Sequence, residues 1–363
     1  MKKFSSLFSG LSALFIFFLA ACAASGRNND STEPILTETR RPLPSLTVTP
    51  SPVPPSATPS QTFTPTATLH PLTIEAMRQG VYPGSLPVIE EQLAPGANYS
   101  RAIASYQSEG LKIYGLLTVP DGQPPLGGWP VIVFLHGYIP PEQYQTTERY
   151  IAYVNYFATR GYIVFKPDLR GHGNSEGEAR GAYSSPAYSV DVLNAINAMR
   201  QYAPANAEKI GLWGHSMGGY LALRAMVIDP NIRAGVIWAG VVGSYSDMTY
   251  NWRPTPIPTL AATARRFSQE ILSTYGEPQQ NPDFWNSISA ISYVSDLSGP
   301  IQLHHAQGDS EVPFAFSQSL YDAAMAAGKE AEFYAYPGDD HNIANSFGLA
   351  MQRSVEFFDR YLK

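Results

Sequence analysis

A single cysteine, Cys22, in 363 residues leaves no partner for an intramolecular disulfide, so the chain cannot be held by covalent cross-links of its own. Basic charge is also short. The 24 Lys and Arg stand against 30 Asp and Glu, and no positive stripe runs along any segment, which argues against nucleic acid as a partner. No apolar run reaches the length of an ordinary membrane span, and no internal repeat points to a solenoid. Histidine is scarce in the C-terminal part. Downstream of residue 216 only His304, His305 and His341 occur, so any chemistry that needs an imidazole there has three candidates.

What is present at the N-terminus reads as export. Lys2 and Lys3 precede an apolar stretch, Leu11 to Leu19, and small residues lead to Cys22. Leu19-Ala20-Ala21-Cys22 resembles the bacterial lipoprotein box, which implies a signal over 1–21, lipidation of Cys22, and a mature chain on the extracytoplasmic side of a bacterial membrane. Residues 22–71 are rich in Pro, Ser and Thr and hold too little apolar surface to fold; they are expected to form an extended stalk. Residues 72–363 remain for one large domain.

Within that domain, strand patterns alternate with helix patterns. Val131 to Leu135 is continuously apolar, as a strand buried on both faces must be. Strands are expected at Arg101–Gln107, Leu111–Val119, Tyr162–Lys166, Lys209–Trp213, Arg233–Val241, from Ile301 and over Ala331–Tyr336. Helices are expected near 148–159, 186–201, 220–226, 314–327 and 346–361. This order predicts an α/β fold with a mostly parallel sheet, helices on both faces, and chemistry at the carboxyl ends of the strands. Residues 243–297, with Trp252, Phe267, Tyr275, Phe284 and Trp285, break the alternation and read as a small helical cap over the strand ends.

Gly214-His215-Ser216-Met217-Gly218 follows a strand pattern and opens a helix pattern, the context of a nucleophile elbow. A serine hydroxyl is a weak nucleophile until a base takes its proton, and the base needs a carboxylate to fix its tautomer. His304 and His305 are adjacent in a strand, so they point to opposite faces and suit core or supporting roles. His341, in the loop after the last strand, is the expected base. Asp309, in Gly308-Asp309-Ser310-Glu311-Val312-Pro313, is the expected acid, with a helix cap as its other role; Asp247 is the reserve. Asp339 and Asp340 suit the turn before His341. The N–H groups of Met217 and Tyr138 are the expected oxyanion donors, with His136 fixing the loop that carries Tyr138. The Asp168–Gly177 loop reads as scaffold, with Arg170 and His172 as weaker candidates for a direct role. No metal or organic cofactor is required by this set.

These pieces, with Phe284-Trp285 and Ile291-Ser292-Tyr293, resemble the α/β-hydrolase superfamily from about Ser105 to Lys363. The chain looks most like the catalytic domain of the prolyl oligopeptidase family, with cinnamoyl and related bacterial esterases close behind. Where that family carries a β-propeller before the catalytic domain, this chain has the signal and stalk, and His215 and Met217 give the elbow a form shared with many esterases. The resemblance implies a surface-tethered serine hydrolase acting on esters or short peptides through an acyl-enzyme. The alternative, a binding lipoprotein on a hydrolase scaffold, would be marked by a missing triad member, and none is missing.

Overall fold

The computed structural model describes residues 69–180, 183–252 and 269–363. Cys22, the signal and nearly all of the stalk lie outside them, as do Phe267 and the middle of the expected cap. The chain enters through α1 (Ile74–Arg78), where Leu72 and Ile74 are already fully buried. Then come β1 (Val88–Leu93), β2 (Tyr99–Ser108), β3 (Leu111–Pro120), β4 (Trp129–Leu135), α2 (Ile151–Ala158), β5 (Ile163–Pro167), α3 (Ala187–Gln201) and β6 (Ala205–His215). The second half holds α4 (Met217–Ile228), β7 (Ala234–Trp238), α5 (Tyr245–Tyr250), α6 (Pro282–Ile288), β8 (Ile301–Ala306), α7 (Phe314–Ala326), β9 (Ala331–Tyr336) and α8 (Phe347–Leu362).

Among the described residues the strands form one nine-stranded sheet in the order β1-β2-β3-β5-β4-β6-β7-β8-β9. The first three strands pair antiparallel, β3 meets β5 antiparallel, and every pairing from β5 to β9 is parallel. This is the expected mostly parallel α/β-hydrolase sheet. The strand alternation sorts the core into two layers. Val131, Val133 and Leu135 of β4 pack with α1, α3 and α4, while Ile132 and Phe134 pack with α2 and α8 on the opposite face. Both layers exclude water from Val131–Leu135, which is why that stretch is apolar without a break.

Two expected elements are shorter than the pattern suggested, one at its end and one at its start. β7 stops at Trp238 rather than Val241, because Ala239 turns the chain with φ +45° and sends its N–H to the carbonyl of His304. The helix expected from residue 148 starts at Ile151, after Arg149 and Tyr150, both at positive φ. β1 had no alternation to reveal it: it is an exposed edge strand with Glu90 and Glu91 in its middle.

Candidate active site

The site begins where β6 becomes α4. Ser216 sits between them at φ +55°, ψ −115°, a conformation a non-glycine residue keeps only when its surroundings enforce it. Its N–H donates to the Trp238 carbonyl at 2.9 Å, and its own carbonyl accepts from Val241 at 3.1 Å, so the end of β7 clamps the turn. The flanking glycines have a packing reason. A Cβ on Gly214 would run into the Gly218 carbonyl, and one on Gly218 into the carbonyl of Leu135. Met217 opens α4, so its N–H is among those a helix leaves unpaired within itself, at the positive end of the helix dipole.

Two loops at the same edge of the sheet bring a carboxylate and an imidazole together. The loop after β8 carries Asp309 and the loop after β9 carries His341, and Nδ1 of His341 lies 2.7 Å from Oδ2 of Asp309. The other carboxylate oxygen accepts from the backbone N–H groups of Glu311 and Val312 at 2.8 and 3.0 Å. Asp309 therefore holds its own loop and faces the imidazole at the same time; it does not cap a helix, because α7 starts only at Phe314, behind Pro313. Burial by itself would raise its carboxyl, but the hydrogen bonds from His305, His341 and Val312 win and hold it well below the usual carboxylate range. Nε2 of His341, the nitrogen turned away from Asp309, is 3.8 Å from the exposed carboxylate of Glu311.

His305 is a supporting residue that sequence reasoning placed no nearer than the core or a second layer. Its Nε2 is 3.1 Å from Oδ2 of Asp309 and its Nδ1 is 2.8 Å from the Ser317 hydroxyl in α7. His304 faces the other layer, against Tyr336, Gln302 and Trp238, as strand alternation requires. Asp247 stays in its own helix, bonded to Ser244 and Asn251. Asp339 and Asp340 accept backbone N–H groups of the turn around His341.

The loop after β4 lies directly against the elbow. A Cβ on Gly137 would be 3.3 Å from Cβ of Ser216 and 2.7 Å from the Tyr150 hydroxyl. The N–H of Gly137 donates to that hydroxyl at 3.0 Å, which leaves the N–H of Tyr138 as the next donor along the loop. His136 is buried, with Nδ1 2.7 Å from the Gly137 carbonyl and Nε2 3.3 Å from the Asp168 carbonyl. Burial pushes its ring down to about 3, against the pull of those two carbonyls. Arg170 does not reach the site; it grips Asp191 of α3 and Glu109. His172 is buried beside the rings of His136 and Tyr144.

Trp252 of the expected cap reaches this neighbourhood. Trp252 donates its indole N–H to the Glu311 carbonyl at 2.7 Å and meets the rings of Tyr183 and Phe316 edge-on. Tyr275 and Phe284 instead stack on each other at 3.7 Å, with His70 against both, and Trp285 donates to the Gly276 carbonyl.

Sheet topology, elbow and loops together define a serine hydrolase of the α/β-hydrolase fold. The chain belongs to the prolyl oligopeptidase family, whose model matches residues 149–363. It is 26% identical over 239 residues to the uncharacterized peptidase YtmA of Bacillus subtilis (strain 168), covering 65% of this chain and 84% of that one. It is 24% identical over 255 residues to dipeptidyl peptidase 8 of Mus musculus, covering 66% of this chain but only 26% of that protein. Among solved structures, the acetyl xylan esterase from Paenibacillus sp. R4 superposes with a TM-score of 0.61 at 18% identity, over 80% of this chain and 92% of that one, a likeness of fold.

Proposed function

We propose that Ser216 is the nucleophile, His341 the general base and Asp309 the carboxylate that orients it, with the N–H groups of Met217 and Tyr138 receiving the oxyanion. The observation that carries this is the 2.7 Å contact between Asp309 and His341 on loops leaving the same sheet edge as the strained elbow at Ser216. The Ser216 hydroxyl attacks the substrate carbonyl while its proton moves to Nε2 of His341. Nδ1–H of His341 stays bonded to Asp309, whose depressed pKa keeps it an anion beside the imidazolium. Collapse of the tetrahedral adduct sends that proton to the leaving alcohol or amine and leaves an acyl-serine. Water, deprotonated by the same histidine, then releases the acid.

The substrate class we infer is small esters and short amides, with the Trp252 indole, bonded to the carbonyl of Glu311 beside His341, favouring an apolar group. The names of relatives support both halves, peptidase and acetyl esterase. Side-by-side turnover of p-nitrophenyl esters and aminoacyl anilides decides the order; we expect the esters to be faster. Ser216→Ala should lower kcat by about 10³–10⁶-fold with nearly unchanged Tm, and a fluorophosphonate should label wild-type protein at residue 216. Near-wild-type ester turnover in that variant would remove the assignment.

The N-terminal pattern supports a second part of the proposal: Cys22 is acylated, and the domain is displayed on the extracytoplasmic side of a bacterial membrane. Cys22→Ala should then move the protein from the membrane fraction to the soluble one. An unchanged distribution would refute acylation as the anchor.

A further inference from the structure

His215, the residue before the elbow serine, joins three loops of the site. Its Nε2 is 3.0 Å from the main-chain carbonyl of His341, and its Nδ1 is 2.7 Å from the Tyr150 hydroxyl. That hydroxyl also accepts the N–H of Gly137 at 3.0 Å. The proton positions in this chain follow from chemistry. A carbonyl can only accept, so Nε2 carries the hydrogen. Burial, and His341 nearby, push the ring down to about 3; it is therefore neutral, and Nδ1 offers a lone pair. The Tyr150 O–H must then donate to Nδ1, and its oxygen is free to accept from Gly137. Every polar group in the series is satisfied, and every bond runs in one direction.

The rings that carry these bonds are themselves wedged. His215 is 3% exposed and lies nearly parallel to Trp213, while Tyr150 meets Phe134 edge-on and stands at φ +52° at the head of α2. A Cβ at residue 137 would fall 3.1 Å from Nδ1 of His215, so the loop after β4 has no slack against this series. Both ends of it are main-chain atoms of loops that the proposed function uses, one next to Tyr138 and one belonging to His341.

We propose that Tyr150 and His215 are positioning residues that hold the oxyanion-side loop, the elbow and the histidine loop in one fixed register. The inference rests on the assignment of Ser216 and His341 made above. Without the series, Gly137 and His341 remain near the elbow but lose the spacer that sets their distance from it. A misplacement of about 1 Å costs on the order of 100-fold in rate.

The test compares Tyr150→Phe, His215→Leu and His215→Gln, the last keeping one donor and one acceptor. For each, kcat, KM, Tm and the rate of fluorophosphonate labelling at residue 216 are measured. Tyr150→Phe and His215→Leu should lower kcat and labelling by roughly 10- to 100-fold with KM changed less than about threefold, and His215→Gln should recover most of the loss. Folded Tyr150→Phe with wild-type kcat overturns the proposal, as does a His215→Gln no faster than His215→Leu. Absence of labelling at residue 216 in the wild type would instead overturn the nucleophile assignment, so the two failures are distinct.

Discussion

Two aspartates with fully buried carboxylates flank the site, and their surroundings push them in opposite directions. Asp309 receives four donors, from His341, His305 and the backbone of Glu311 and Val312, and is held well below the ordinary range. Asp168, at the end of β5, receives two hydroxyls, from Tyr144 at 2.7 Å and Thr146 at 2.5 Å. Burial pushes Asp168 up to about 6, against the pull of those hydroxyls and of Lys166. Lys166 bonds the Tyr144 hydroxyl and is itself pushed down to about 8 by burial. Asp168 lies the deeper of the two, and the donors that face them differ as well. Ring and backbone N–H groups aimed at Asp309 outweigh its desolvation, whereas a pair of neutral hydroxyls does not offset it at Asp168. The first arrangement suits a group that must stay ionised beside an imidazolium; the second suits a fastener between loops.

The sharpest way to break this contrast is Asp309→Asn. It keeps the shape of the loop but removes the anion that fixes the tautomer of His341, and kcat should fall by about 10³–10⁴-fold in steady-state assays. The same substitution at residue 168 should leave kcat within about threefold; a comparable collapse there would erase the distinction. His305→Leu is the intermediate case. One donor to Asp309 is lost, and kcat should fall by roughly tenfold. The Asp309 carboxyl should also rise, since a hydrogen bond that lowers it is gone.

The smallest effect is on stability against pH. The depressed Asp309 adds stability above the unfolded carboxylate range near 4 and loses it as pH falls, so it makes the protein acid-labile. Asp168 has the opposite sign. Its raised pKa means the native state carries a cost above about 6 that is relieved as pH falls toward 4. Asp168→Asn should therefore gain about 1 kcal/mol relative to wild type between pH 5 and pH 7, measured by urea denaturation at each pH. A pH-independent difference would mean Asp168 titrates alike in both states.

Much of the site was legible because it depends on order along the chain and position after strands. Ser216 had a strand before it and a helix after it; Asp309 and His341 stood in loops directly after strands, where a parallel sheet gathers its loops. What stayed hidden depends on chain reversals that leave no periodic trace. Alternation placed His305 on the face opposite His304, but nothing in it shows Asp309 folding back, four residues on, to meet His305. Tyr150 reads as an ordinary residue of an aromatic helix, and its hydroxyl finds His215 sixty-five positions further along the chain. The aromatics of the insertion were equally ambiguous. Hydrophobicity alone cannot say that Tyr275 and Phe284 pair with each other while Trp252 turns toward Glu311.

The place of β4 sets how this protein can be made. It is synthesised before β5 and β6, yet it is seated between them. A nascent chain that has emerged only through Leu135 therefore displays a fully apolar ribbon with both rims bare, and it must stay unaggregated until Ala205–His215 follows. For the same reason residues 149–363, the stretch that betrays the ancestry of this chain, would by themselves carry a slot through the middle of the sheet where Trp129–Leu135 belongs.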